Sequence, residues 1–221
     1  MQAVVSVMWV RYPDIYVPQW QGRKLRGFFS SGQENDLLHN HTQQGGELYR
    51  YPLVQYKIID GIPVVVAIED GIPALQPLVA SRQELVLGNR TYPRGQLFME
   101  LEDELLGDTE ERFIYRFITP WFGLNQENHR RYVQSSPEER GTLLERVLTG
   151  NLLSLAKGLG VTVDRRLVVA AALEEEPVPF KNETVLGFTG GFSVNFRIPC
   201  LLGLGKSVSR GFGAVRMELD R

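Results

Sequence analysis

Val54-Gln55-Tyr56-Lys57-Ile58-Ile59-Asp60-Gly61-Ile62-Pro63-Val64-Val65-Val66-Ala67-Ile68 decides how the first half of this chain is read. Two runs rich in β-branched residues flank Asp60-Gly61, a dipeptide suited to the positive φ of tight hairpin turns. Paired strands are expected over Tyr49–Ile59 and Pro63–Ile68. Upstream, Val4–Val10 reads as a strand and Gly22–Ser31 as a short helix carrying Arg23, Lys24 and Arg26. Downstream, Pro73–Arg82 reads as a helix with proline near its first turn. Arg94–Glu102 alternates as a strand should, with Leu97, Met99 and Leu101 on one face.

Strand, helix, strand, strand, helix, strand is the split βαβ, or ferredoxin-like, order. The second half repeats it in outline. Arg112–Thr119 alternates and serves as the first strand. Ser136-Pro137-Glu138-Glu139 opens a helix with a serine cap, proline at the first helical position and glutamate three after the cap. Leucines at helical spacing follow, and Gly158 and Gly160 end it. Arg166–Leu173 reads as a buried strand, Thr184–Phe188 and Phe192–Ile198 as strands around Gly190-Gly191, and Ala214–Leu219 as the last strand. The second helix of this half shrinks to about Pro199–Leu202. The expected architecture is α+β: two tandem ferredoxin-like domains, 1–110 and 111–221, the second with a glycine-rich loop.

Composition agrees with a soluble globular chain. Of 221 residues, 43% are apolar and 23% charged. Apolar runs are too short for a membrane span, and Met1–Val10 lacks a basic leader. A single cysteine, Cys200, permits no internal disulfide and suits the reducing cytoplasm. The net charge of −2 conceals an asymmetry. Residues 100–111 hold seven acids and no base; without them the balance is 24 basic to 19 acidic. Arg197–Arg216 has four basic residues and no acid. A polyanion would meet one basic face, with the acidic segment away from it.

Two motifs carry chemistry. The first is the loop Gly203-Leu204-Gly205-Lys206-Ser207-Val208-Ser209-Arg210-Gly211-Phe212-Gly213. It is not a P-loop: Cys200 stands where the first glycine belongs, and no helix is expected after it. Nor is it a dinucleotide loop, since Val208 occupies the third glycine position. Glycines let backbone N–H groups approach an anion, and Lys206 and Arg210 add charge. A phosphate backbone is the natural ligand; a plain turn between two strands is the alternative.

The second motif is His39-Asn40-His41. In an extended segment, residues two apart share a face, so both imidazoles could reach one substrate atom. Tyr49 and Lys57 follow on the expected strand. Two histidines and a cation suit metal-free acid–base chemistry on a phosphodiester. A metal fragment is the competing reading, but Glu34 and Asp36 are the nearby carboxylates and none has ligand spacing. Solvated loop histidines are the blander one.

Together these segments resemble the CRISPR repeat-RNA endoribonucleases of the repeat-associated (RAMP) superfamily. They are closest to the subgroup with paired histidines and a strand of the type Tyr51-Pro52-Leu53-Val54-Gln55-Tyr56-Lys57. The Gly187–Phe192 segment and the glycine loop also match. The resemblance implies cleavage of a CRISPR precursor within each repeat, without metal or cofactor. The ribose 2′-OH attacks the adjacent phosphorus, leaving a cyclic phosphate and a free 5′-OH. His39 and His41 would be general base and acid in an unassigned order, Tyr49 would position or donate, and Lys57 would stabilise the phosphorane. Gly203, Gly205, Lys206, Ser207, Arg210, Gly211 and Gly213 would hold RNA backbone, with Arg23, Lys24 and Arg26 as a second basic strip. The implied partners are repeat RNA and subunits of a CRISPR effector complex. Two other readings are a non-catalytic RNA-binding subunit of such a complex and a nucleotide-binding regulator.

Overall fold

A computed structural model describes residues 2–31, 36–39, 51–180 and 183–218, with the side chain of His39 left out. The chain divides into two compact units. The N-terminal unit comprises Val4–Glu104 and Val208–Gly211; the C-terminal unit comprises Met1–Ala3, Leu105–Ser207 and Phe212–Arg221.

In the N-terminal unit β1 (Gln2–Arg11) is followed by α1 (Gly22–Ser30), the short α2 (Asp36–His39), β2 (Val54–Ile59), β3 (Ile62–Ile68) and α3 (Gly71–Ser81). A small hairpin, β4 (Glu84–Leu87) and β5 (Arg90–Pro93), precedes β6 (Phe98–Trp121). The strand order β2-β3-β1-β6 is that of a ferredoxin-like sheet. The hairpin turns at Asp60-Gly61, both with positive φ (52° and 82°), and pairs Ile59 with Ile62 and Lys57 with Val64. One face of this sheet packs Val54, Tyr56, Ile58, Val65 and Ala67 against Leu25 and Phe29 of α1, Leu38 of α2 and Leu75 and Val79 of α3. Because side chains alternate, Gln55 and Lys57 emerge on the opposite face.

The C-terminal unit reuses the same order. Residues of β6 from Leu105 onward are its first strand, followed by α4 (Gln126–Gln134), α5 (Pro137–Gly158), β7 (Val169–Phe180), β8 (Glu183–Arg197) and β9 (Val215–Met217). The order β9-β6-β8-β7 again places the first strand between the fourth and third. Arg116 of β6 pairs with Gly191 on one side and Arg216 on the other. Helix α5 begins with a complete capping box: Ser136 accepts from the Glu139 N–H, and the Glu139 carboxylate accepts from the Ser136 N–H. Leu144, Leu148, Leu152 and Leu155 of α5 are buried, as are Phe188, Phe192 and Phe196 of β8.

Several expectations are corrected. The strand expected over Tyr49–Ile59 begins at Val54; Pro52 lacks an N–H, and its carbonyl accepts from Gln55 Nε2 at 3.1 Å. The strand expected at Arg94–Glu102 begins at Phe98 and runs on through Arg112–Thr119 as one strand, β6, in which Gly107 (φ 136°) and a shift of register between Asp108 and Phe113 break the alternation. Met99 and Leu101 face solvent on it. The acidic run lies along this strand, with Glu100 paired to Arg11 and Glu110 to Arg165. Gly190-Gly191 is no turn: both residues run inside β8, where a methyl on Gly190 would stand 2.4 Å from the Ala172 carbonyl oxygen of β7. The strand expected at Arg166–Leu173 is displaced to β7 and is half exposed, so its apolar run marks an edge strand, not a buried one. Pro199–Leu202 is a turn without a helix.

Candidate functional site

Three groups singled out in the sequence meet in the N-terminal unit. Val208–Gly211, the far part of the glycine loop, clusters with this unit. Gly211 (φ 101°) lies flat on β2: a methyl there would sit 2.9 Å from the Tyr56 carbonyl oxygen and 3.3 Å from Lys57 Cα. A methyl on Gly22, at the start of α1, would meet the Arg210 carbonyl oxygen at 3.0 Å. Glycine is needed at Gly211 on both counts, conformation and approach. The loop thus touches the strand bearing Lys57 and the helix bearing Arg23, Lys24 and Arg26.

Lys57 is fully buried. Among the described residues its ammonium has one hydrogen-bond partner, donating to Gln55 Oε1 at 2.9 Å. The amide of Gln55 is itself oriented, its Nε2 donating to Tyr51 Oη at 2.9 Å and to the Pro52 carbonyl. Burial pulls Lys57 down to about 7. A lysine in this setting exchanges its proton near neutrality, unlike one in water. On the other face of the sheet, the Tyr56 hydroxyl is buried, and so is Oε1 of Gln21; neither has a hydrogen-bond partner among the described residues. Burial raises the Tyr56 phenol, with the nearby Arg26 charge opposing it.

His39 is the last residue of α2, so the extended geometry expected for the histidine pair does not hold at its first member. The helix is pinned to the core by Leu38, one residue earlier. His41 and Tyr49 lie outside the described residues.

The near part of the glycine loop belongs to the C-terminal unit and is built as a strap. Gly203 bridges Ala214, and the Leu204 N–H donates to the Gly213 carbonyl at 2.9 Å. Gly205 (φ 86°) is tight against Trp121 and Phe122, and Gly213 (φ 68°) against Leu204. The N–H groups of Leu204, Lys206, Gly211 and Gly213 are all spent on protein carbonyls. Part of the backbone expected to face phosphate is therefore internal, and these glycines serve conformation and close packing. The strap presents Lys206, exposed and lowered by desolvation, with Ser207 (φ 56°) beside it. Trp20 and Arg82, described below, carry no motif; the four-residue spacing of Trp20, Lys24 and Phe28 is the signal a sequence offers for them.

Comparison with known proteins follows the same division. A family model for the Cas6b N-terminal domain matches residues 7–104, and one for the Cas6b C-terminal domain matches residues 107–217. A crystal structure of Cas6b superposes with a TM-score of 0.94 at 37% identity, over 98% of this chain and 100% of that one. A crystal structure of the CRISPR RNA processing endoribonuclease Cas6b gives 0.82 at 35%, with the same coverage. An uncharacterized protein of Methanocaldococcus jannaschii is 38% identical over 140 residues, which is 62% of this chain and 95% of that one. The doubled ferredoxin-like fold and these matches define a CRISPR-associated endoribonuclease. The chain belongs to the Cas6b family.

Proposed function

We propose that this protein cuts CRISPR precursor RNA within its repeats by a metal-independent transesterification. One of His39 and His41 takes the proton of the ribose 2′-OH, which attacks the adjacent phosphorus. The other protonates the departing 5′-oxygen, so the products are a 2′,3′-cyclic phosphate and a 5′-OH. Tyr49 positions the phosphate or donates to it. The Lys57 ammonium stabilises the charge of the phosphorane. Repeat RNA is held by Arg23, Lys24, Arg26 and Arg210 and by Lys206 and Ser207. The reaction belongs to the cytoplasm, where transcripts and effector-complex subunits are met.

The observation that supports this reading best is the Lys57–Gln55–Tyr51 chain. A lysine held at about 7 by burial sits on the strand directly after the histidine segment. A purely structural strand has no use for a desolvated ammonium, whereas charge stabilisation is strongest where water is excluded.

The test is cleavage of repeat RNA in EDTA by wild type and by His41→Ala, on substrate with and without a single 2′-deoxy nucleotide at the cut site. Wild type cuts the ribose substrate and leaves a cyclic phosphate; the variant and the deoxy substrate give no product. Cutting of the deoxy substrate would refute the 2′-OH mechanism. Binding without any cutting would make the protein a non-catalytic RNA-binding subunit.

A further inference from the structure

Helix α1 carries a feature that the cleavage chemistry does not use. Trp20, at its N-terminal approach, is 62% exposed and stands outside the core cluster. The Lys24 ammonium lies over its ring, 4.7 Å from the centroid. One turn further, the Arg82 guanidinium lies over Phe28 at 4.7 Å. The β4–β5 hairpin closes the row. A methyl on Gly88 (φ 71°), in its turn, would stand 2.7 Å from Lys24 Nζ. Arg94 donates to the Arg82 carbonyl at 3.2 Å and fixes the base of the hairpin. Arg90, next to the turn, is exposed. Across Gln19–Ser31 and Arg82–Arg94 there are six cations and one acid, Glu84.

We propose that Trp20, Lys24, Arg82 and Arg90 form a binding strip for unpaired nucleotides of the RNA, with Trp20 as a base-stacking platform. An indole in solvent beside a row of cations combines the two interactions that single-stranded RNA offers, a π-face and a phosphate. Lys24 occupies one part of the ring, and the exposure leaves the rest of the indole for a base. Duplex RNA withholds its base faces, so the strip selects unpaired sequence. This rests on the RNA-directed reading above but not on the histidine chemistry.

The other two tryptophans, Trp9 and Trp121, are buried, so a change in indole emission on RNA binding reports Trp20. The full-length chain is titrated with a repeat RNA made uncleavable by a 2′-deoxy cut site, following emission and anisotropy together. RNA quenches the wild type. Trp20→Phe binds by anisotropy but loses most of the quench. Trp20→Ala binds about 5- to 100-fold more weakly. Arg90→Gln lowers the salt slope of binding by about one. An undiminished quench in Trp20→Phe overturns the proposal, as does wild-type affinity in Trp20→Ala. Equal losses for duplex and single-stranded RNA overturn the selection of unpaired bases. Failure of cleavage in EDTA with these binding results intact would sink the catalytic reading and leave the strip standing.

Discussion

Replacing Lys57 by methionine tests whether the buried ammonium is as strained as its surroundings imply. The lysine falls from 10.5 to about 7 because burial disfavours the charged form. Its folded-state value lies below its unfolded one, so the unfolded chain binds the extra proton between those limits. Stability therefore rises with pH from about 7 toward about 10, by about 1.4 kcal/mol per unit at most. Below about pH 7 both states are protonated and the burial cost, up to about 5 kcal/mol, is fully present. Methionine matches the length of the side chain, packs in the same space and has no charge to desolvate. We expect Lys57→Met to be more stable than wild type near neutrality, by several kcal/mol less the lost Gln55 bond. Urea unfolding of both proteins at about pH 7 and about pH 9 measures this. The gap should shrink by about 2 kcal/mol between the two. The same substitution should abolish cleavage if Lys57 stabilises the phosphorane. Parallel stability curves for the two proteins would refute the reasoning, since they would mean that Lys57 titrates as an ordinary lysine.

Gly213→Ala should be far more costly than Gly160→Ala. Both have positive φ, but a methyl on Gly213 would collide with the Leu204 carbonyl at 2.0 Å, while nothing stands within 4 Å of Gly160. Gly160→Ala should lose about 1–2 kcal/mol in urea unfolding and Gly213→Ala clearly more; equal losses would show that the strap yields. Ser136→Ala should cost about 1 kcal/mol by removing the cap of α5, and an unchanged urea midpoint would count against the capping box. Tyr56→Phe removes a buried hydroxyl with no partner among the described residues, so thermal unfolding should show equal or higher stability; a loss above about 1 kcal/mol would reveal a missing partner.

The features readable from sequence were those with strong local chemistry. Asp60-Gly61 set the hairpin and its register, and the Ser136–Glu139 box set the start of α5. The resemblance to the CRISPR repeat-RNA endoribonucleases rested on the histidine segment, the strand bearing Lys57 and the glycine loop, and the Cas6b matches agree with it. What escaped was decided by distant partners. Gly190-Gly191 resembles a turn until β7 and β6 flank it. Arg94–Glu102 and Arg112–Thr119 read as separate strands because the alternation breaks near Gly107, but one strand continues past it with a register shift. The hairpin of β4 and β5 is four residues a side, too short for its pattern to register. The burial of Lys57 could not be read from an alternating strand, because a lysine there is ordinarily solvated.

The interleaved make-up of the two units bears on how the molecule is made. Val208–Gly211 are needed to complete the N-terminal unit, whose other residues end at Glu104. Domains of growing chains ordinarily fold from the N-terminal side as they leave the ribosome. Here the N-terminal unit stays unfinished until synthesis has passed Gly211, with the Tyr56 backbone and the start of α1 uncovered meanwhile. A nascent chain of this protein thus presents its N-terminal unit without the completed loop against β2, and acquires it only after most of the second unit, Leu105–Ser207, has been synthesised.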